Sequence, residues 1–222
     1  MEKWKRFLGV ALALCLLGTL TACSRGLTEK DAETYIKGYL DSAYLGSYDQ
    51  AYVDLVEDMT MDDAKENHEY YIEVEAQNLL DYFEVTYPTD EMTERAEQLI
   101  ETVYSKAQYK VGSASKTKDG DFVVEVTVSP IEFLNLISDE FVFDALDQSG
   151  YWETEDEEES DAIYGTLVLD KVEELLPQIT YGKDQIIMIQ LKLGEDGYYS
   201  LVETGMHTLD EAIIDYFGDF AE

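Results

Sequence analysis

Basic residues are scarce in this sequence. Its 222 residues include 15 Lys and Arg against 49 Asp and Glu, which gives a formal net charge of −34. Binding to nucleic acid needs Lys and Arg to neutralise phosphates, so we expect no nucleic-acid partner. Hydrophobic residues nevertheless make up 45% of the chain, too large a share for a wholly disordered acidic protein. The composition therefore predicts one folded acidic domain, or two small ones.

Cysteine, histidine and proline are also few, and this limits the chemistry of the chain. With 2 Cys, 2 His and 3 Pro, it cannot be a disulfide-rich scaffold. His68 is followed by a glutamate, but a zinc protease helix needs a second histidine where Ile72 stands. The sequence also has no Gly-x-Ser-x-Gly elbow and no phosphate-binding glycine loop. We therefore predict no metal site and no cofactor.

The start of the chain has the parts of a secretory signal peptide. Three basic residues precede an apolar run at 7–20. This run is about 14 residues long, whereas a membrane-spanning helix needs about 20. A basic start followed by a short apolar run is typical of a cleaved signal, which we place at 1–22.

Cys23 is the predicted lipid-attachment residue. The sequence Leu20-Thr21-Ala22-Cys23 resembles the lipobox of bacterial lipoproteins, in which the cysteine receives diacylglycerol and becomes the first residue after cleavage. The resemblance implies a membrane partner through the covalent lipid, a tether at 23–27 and a location at the outer face of the cell membrane. Processing removes three of the 15 basic and one of the 49 acidic residues, which leaves a net charge of about −36.

Apolar residues at three- and four-residue steps predict a helix-rich chain. Thr28 and Asp31 have the spacing of a capping box, and so do Thr208 and Glu211, which predicts helix starts at both places. Thr60 with Asp63 predicts a third start in the same way. Segment 148–160 is predicted to be an acidic loop. The predicted helices are, in order, 28–46, a short one from 47, 61–84, one from 89, 131–147, 161–176 and one from 208.

Alternating apolar and polar residues predict two β-hairpins. Their turns are Asp119-Gly120 and Asp196-Gly197, because this dipeptide adopts the positive φ angles of a tight turn. One hairpin alone is barely stable, so the two together predict a four-stranded antiparallel sheet packed against helices, an α+β fold. The predicted domain boundaries are 1–22, 23–27 and 28–222, with sub-units 28–130 and 131–222 as an alternative.

Tyrosine is unusually frequent, with 17 residues. Several tyrosines recur at helical spacing in the first two predicted helices. A tyrosine ring with its hydroxyl suits contact with a peptide or a glycan, but the same spacing also arises at the rim of a helix core. Both interpretations stay open. The candidate ligand-binding residues are Tyr35, Tyr39, Tyr44, Tyr48 and Tyr52.

A dense acidic run lies between residues 153 and 161. Calcium prefers several oxygen ligands, which such a run offers, and Asp119 and Asp121 in a hairpin turn offer them too. The run lacks the spacing of an EF-hand. Like charges at this density are more typical of a solvated loop, so calcium stays a minor alternative.

A further resemblance rests on the lipobox and on six short segments: 31–33, 35–41, 87–88, 104–106, 109–112 and 124–130. These segments resemble the uncharacterised acidic lipoproteins of Gram-positive anaerobes, clostridia in particular. The resemblance covers about the first two thirds of the chain. That family is a domain of unknown function, so it implies a location and no activity. The helices before a hairpin also resemble cystatin-like and NTF2-like lipoprotein domains.

We therefore expect a membrane-anchored extracellular lipoprotein whose exported domain is a non-enzymatic binding module for a protein, peptide or glycan. The alternative is a small cell-envelope hydrolase acting through two carboxylates. That alternative predicts a pair of facing carboxylates, one of them with a raised pKa. A transporter substrate-binding protein is a third class, for which about 200 mature residues are few.

Overall fold

The computed structural model describes residues 26–137, 139–195 and 197–217. The predicted signal peptide at 1–22 and Cys23 lie outside these ranges. Within them the chain is rich in helix and forms a four-stranded and a two-stranded sheet, so the predicted α+β class is confirmed. None of the described helices has the length and apolar character needed to cross a membrane.

In the described residues, four helices come first, followed by three strands, two helices, three more strands and one further helix. The helices are α1 Glu29–Leu45, α2 Gln50–Val53, α3 Met61–Tyr82, α4 Asp90–Tyr104, α5 Asp139–Ser149, α6 Glu157–Leu175 and α7 Glu203–Ile213. The strands are β1 Gln108–Lys116, β2 Phe122–Ser129, β3 Ile131–Glu132, β4 Thr180–Tyr181, β5 Gln185–Leu193 and β6 Tyr199–Leu201.

The first long helices begin where the sequence predicts because threonine side chains cap them. Thr28 accepts a hydrogen bond from the backbone N–H of Asp31, whose carboxylate accepts one from the Thr28 N–H at 2.8 Å. Thr60 and Asp63 form the same reciprocal pair at the start of α3. Each pair satisfies two N–H groups at the helix start. Gly46 ends α1 in the left-handed region, with φ of 57°.

The two predicted hairpins form one antiparallel sheet in the order β1-β2-β5-β6, which confirms the prediction. β5 pairs with β2 from Leu191 opposite Phe122 to Gln185 opposite Val128. The alternation therefore turns one face of the sheet toward the core. The fully buried residues of β2 are Phe122, Val124, Val126 and Val128.

Among the residues that the structure describes, helices pack against one face of this sheet, and the other, open face carries exposed side chains. α1 packs against β1 and β2, and α7 packs against β2 and β5. On the open face, Ile186 and Met188 of β5 are 66% and 54% exposed. β6 pairs only with Leu191–Leu193, and α7 approaches the earlier part of β5, where Gly205 lies against the Met188 carbonyl.

The helix predicted at 131–147 is wrong over its first part. Ile131 and Glu132 form β3, which pairs with β4, and a 3₁₀ turn follows at Leu134–Leu136 before α5 begins. The Ile131 carbonyl accepts a hydrogen bond from the Asp215 N–H at 2.9 Å. Partners far along the chain thus hold these residues extended, against their local helical pattern.

The start predicted for the last helix is also wrong. α7 begins at Glu203, and Thr208 lies in its interior, where its hydroxyl donates to the Thr204 carbonyl at 3.0 Å. A threonine inside a helix commonly bonds one turn back in this way. The predicted start failed because strand β6 ends at Leu201 and the chain turns into α7 at once.

Part of the segment predicted as an acidic loop is the beginning of a helix. Asp156 caps α6 by accepting hydrogen bonds from the N–H groups of Glu158 and Glu159. Carboxylates in a first helical turn face the positive end of the helix dipole. The run of acids therefore favours a helix start as well as a solvated surface.

Strands from both predicted sub-units lie in one sheet. β1 and β2 precede residue 130, and β5 and β6 follow it. The buried core also contains side chains of both parts, among them Tyr44 and Leu209. The predicted domain boundaries themselves stay predictions.

Candidate functional site

Tyr35 and Tyr52, two of the five candidate tyrosines, pack in the core between α1 and α2. They are 2% and 5% exposed, and their ring centroids lie 5.6 Å apart. Gly38 permits this contact, because a Cβ at that position would lie only 2.2 Å from the Tyr52 Cβ. These two rings serve the packing of the first helices.

Tyr48 occupies a third place, half-buried against the edge of the His68 ring with centroids 6.4 Å apart. His68 Nδ1 lies 2.9 Å from the Ala43 carbonyl oxygen, so this histidine bridges the end of α1 and α3. The structure therefore does not bring all five candidate tyrosines onto one surface. Their role in ligand binding stays a prediction.

Tyr39 and Tyr44 belong to a polar cluster that the sequence analysis did not predict. The Tyr44 hydroxyl donates to Asp210 Oδ1 on α7, and the hydroxyls of Tyr39 and Tyr71 share a hydrogen bond. We call the whole group the tyrosine–carboxylate cluster. Its members come from α1, α3, α4, α7 and the residue stretch after α7: Tyr39, Tyr44, Tyr71, Glu75, Tyr104, Asp210 and Tyr216.

Glu75 is the second carboxylate of the cluster. The Tyr216 hydroxyl donates to Glu75 Oε1 at 2.6 Å, and the Asn78 amide donates to Glu75 Oε2 at 2.9 Å. Among the described residues, no Lys, Arg or His forms an ion pair with Glu75 or with Asp210. Phenol and amide donors therefore replace the basic partner that a part-buried carboxylate usually has.

The two carboxylates of the cluster are protonated more readily than exposed ones. Burial raises the pKa of Glu75, while hydrogen bonds from Tyr216, Asn78 and Tyr104 act the other way. Burial raises the pKa of Asp210 to about 7; the Tyr44 hydroxyl lowers it and the Glu75 carboxylate adds to the rise.

The phenols of the cluster stay protonated across the physiological range. Burial raises the pKa of Tyr39, Tyr44, Tyr104 and Tyr216 well above the usual value. Their hydroxyls are therefore constant donors, and the charge of the cluster depends only on its two carboxyl groups.

Aromatic rings extend the cluster to the surface. The Tyr82 ring lies 5.1 Å from the Tyr216 ring and 5.7 Å from the Phe217 ring, measured between centroids. Phe217 is 64% exposed. The Glu75 carboxylate is thus connected through Tyr216 to rings that reach the surface.

A groove of about 350 Å³ lies between the earlier part of β5 and α7. Its floor holds the exposed Ile186 and Met188, and Gln190 and Thr208 add an amide and a hydroxyl. None of the groove residues is charged. We call this feature the α7–β5 groove, and its lining residues are Ile186, Ile187, Met188, Gln190, Val202, Thr204, Gly205 and Thr208.

Carboxylates considered as calcium ligands have structural partners. Asp121 accepts hydrogen bonds from the Leu193 N–H and the Gln190 amide, both at 2.9 Å. Asp161 accepts them from the N–H groups of Thr86 and Tyr87. Across the described ranges, no three or more His, Cys, Asp or Glu side chains are grouped to hold a metal ion.

The comparisons with known proteins give one similar structure. No protein-family model and no curated protein matches the chain. The chain is similar to YcdA of Bacillus subtilis, described as a "putative lipoprotein", with 17% identity and a TM-score of 0.57 over 83% of this chain. It spans 56% of the length of that protein. At this identity the similarity shows a shared fold.

Proposed function

We propose that the protein is a membrane-anchored lipoprotein, held at the outer face of the cell membrane by acyl chains on Cys23. The sequence at 20–23 supports this proposal, since it has the order of residues of a lipobox. The fold shared with a protein described as a lipoprotein of Bacillus subtilis adds support. Both agree with the resemblance to acidic lipoproteins of Gram-positive bacteria, the clostridial ones in particular.

The exported domain is proposed to be a non-enzymatic binding module that takes an extended peptide in the α7–β5 groove. The observation that supports this best is the exposure of Ile186 and Met188 at 66% and 54% on the floor of the groove. Large apolar side chains grouped in a concave surface are typical of binding sites. Methionine adapts its shape readily to a partner.

The chemistry of the groove favours a peptide over the other classes of ligand. A volume of about 350 Å³ is at the small end of ligand pockets and suits one or two apolar side chains. Thr204, Thr208 and Gln190 offer hydrogen bonds to a peptide backbone. Anionic envelope polymers are disfavoured, because the chain has a formal net charge of −34.

Capture of partners from envelope extract tests this proposal. Lipidated full-length protein in detergent is immobilised as wild type, as Met188→Lys and as Phe143→Lys, and the bound polypeptides are identified by mass spectrometry. Phe143 is 59% exposed and lies outside the groove. We expect wild type and Phe143→Lys to retain the same polypeptide and Met188→Lys to lose it. Equal capture by all three proteins contradicts the groove as the binding site.

A hydrolase that acts through carboxylates is the second candidate. The observation that favours it is the pair Glu75 and Asp210, with the pKa of Asp210 raised to about 7, near the value that suits a general acid. Release of reducing ends from purified cell-wall glycan tests it, with wild type compared to Asp210→Asn. Release by wild type that Asp210→Asn abolishes supports the hydrolase, and no release by wild type argues against it.

A further inference from the structure

Helix α7 separates the groove from the tyrosine–carboxylate cluster. Thr204, Gly205 and Thr208 line the groove on one face of α7. Asp210 points from another face toward α1, where the Tyr44 hydroxyl donates to it. Any movement of α7 away from α1 therefore changes both the cluster and the wall of the groove.

Two hydrogen bonds between a phenol and a carboxyl group tie the C-terminal part of the chain to the helices of the first half. One joins Tyr44 of α1 to Asp210 of α7, and the other joins Tyr216 to Glu75 of α3. Neither carboxyl group has an ion-pair partner among the described residues. A phenol donates to a neutral or to an ionised carboxyl group, and its bond to the ionised one is stronger, so any loosening on ionisation must come from the cost of burying the charge.

We propose that the tyrosine–carboxylate cluster is a proton-dependent clasp, joined to the C-terminal part of the chain at Tyr44–Asp210 and Tyr216–Glu75, which holds α7 firmly while the carboxyl groups are protonated and loosens when they ionise. The physical reason is charge. Ionisation strengthens the two phenol hydrogen bonds, but it places two negative charges within one part-buried cluster to which no described Lys, Arg or His is paired. Burial makes such charges costly and is the larger of the two effects.

The surroundings of the two carboxyl groups place the ionisation of Asp210 near neutral pH. Burial and the Glu75 carboxylate raise the pKa of Asp210 to about 7, so its proton is lost close to physiological conditions. On the exposed side of α7, His207 Nε2 lies 3.5 Å from Glu211 Oε1. The titratable groups that face the two carboxyls are Tyr39, Tyr44, Tyr71, Tyr104, Glu211 and Tyr216.

The clasp gives the α7–β5 groove a pH-dependent wall, and this consequence rests on the function proposed for the groove. Loosening of α7 moves Thr204 and Thr208 relative to Ile186 and Met188 on the strand. We expect peptide binding to be tighter at acidic pH than at alkaline pH. The clasp itself does not depend on a ligand.

Hydrogen–deuterium exchange of α7 tests the clasp without any ligand. Lipidated full-length protein in detergent is labelled at about pH 5 and about pH 8, with rates corrected for intrinsic exchange, as wild type, Asp210→Asn and Glu211→Gln. We expect the opening of α7 in wild type to increase roughly tenfold or more between these values. Asp210→Asn is expected to show little change, because it keeps the shape without the charge. Glu211→Gln is expected to keep the pH dependence, with the transition at slightly lower pH, because the Glu211 charge adds to the raised pKa of Asp210.

The outcomes separate the clasp from the groove. Opening that is equal at both pH values, or a pH dependence that Asp210→Asn retains, overturns the clasp even where peptide capture succeeds. If Asp210→Asn does not fold, Tyr44→Phe replaces it: the lost hydroxyl lowers the pKa of Asp210 in wild type, so its loss must shift the opening transition to higher pH. An unshifted transition in Tyr44→Phe overturns the proposal.

Discussion

The hydroxyl of Tyr44 donates to the carboxyl group of Asp210, 166 residues further along the chain. This contact joins the first long helix to the last one. Tyr44 is 2% exposed, so its ring fills the core while its hydroxyl contacts the Asp210 carboxyl group. The pair links the packing of the fold to its response to pH.

The stability of the wild-type protein is expected to fall as the pH rises from about 4 to about 7. The pKa of Asp210 rises from 3.8 to about 7 on folding, so in this window the folded state holds a proton that the unfolded state has released. Stability then falls by at most about 1.4 kcal/mol per pH unit for one proton and levels off above the folded pKa. Urea unfolding at several pH values measures this slope.

Asp210→Asn is expected to remove the part of the pH dependence of stability that Asp210 causes. At about pH 8 it should be more stable than wild type by about 2 kcal/mol, a value reduced for the partial exposure of the site, and the difference should vanish toward pH 4. Glu211→Gln is the control, because that neighbouring carboxylate is exposed and its charge is the smallest of the effects that raise the pKa of Asp210, so most of the slope should remain. A slope that Glu211→Gln removes to the same extent would assign the effect to general surface charge.

Gly38→Ala is expected to destabilise the fold by about 3 kcal/mol or more. The new Cβ would lie 2.2 Å from the Cβ of Tyr52, an atom next to the backbone that cannot move aside. Gly165→Ala is the control, since its Cβ would meet the flexible end of Met92 at 3.1 Å and alanine favours the helix by about 1 kcal/mol. Equal midpoints for both variants in urea would contradict the close contact of α1 and α2.

Gly205→Ala is expected to push α7 away from β5. Its Cβ would lie 2.9 Å from the Met188 carbonyl oxygen, which belongs to the backbone of a paired strand. We expect a loss of about 1–3 kcal/mol in thermal unfolding. Thr208→Ala, on the exposed side of the same helix, should change stability by less than about 0.5 kcal/mol. A neutral Gly205→Ala would show that α7 has room to shift on the strand.

Cys23→Ser is expected to release the protein from the membrane. Serine has no thiol to accept the lipid, and the predicted signal peptide would then lack its processing residue. Membrane fractionation and mass spectrometry of the N-terminus measure both effects. Normal processing with retention in the membrane fraction would contradict the predicted anchor.

The local pattern of the sequence was sufficient for most of the fold. Alternation in β2 and β5 predicted the strands because a period of two places each second side chain on one face, and the residues from Phe122 to Val128 are buried in that manner. Thr28 and Thr60 predicted helix starts because capping is a contact within one turn. Each of these signals acts over a few residues.

The errors arose where distant partners decide the local structure. Ile131 is extended because it pairs with Tyr181 and bonds the Asp215 backbone. Thr208 lies inside α7 because this helix starts directly after β6. The Val202 N–H, just before the helix, donates to the Gln190 carbonyl of β5 and so places the helix start there. Local spacing contains no information about such partners.

The cluster was only partly accessible to sequence analysis. Tyr39 and Tyr44 were among the candidates because helical spacing places them on one face. Asp210 had a weak signal, since it lies next to Leu209 within the apolar stripe that Met206 and Ile213 continue. An acid at the border of a buried face indicates a polar partner, but the identity of that partner, Tyr44, depends on the packing of α7.

The sequence by itself determined the α+β class, the two hairpins, the acidity and the predicted lipid address, because these depend on composition and on contacts between near neighbours. Tertiary structure alone decided which tyrosines fill the core and which meet carboxyl groups. It also decided that the part of β5 that does not pair with β6 faces α7 across a groove. These features depend on how α1, α3 and α7 pack across the sheet, and packing joins residues that are far apart along the chain.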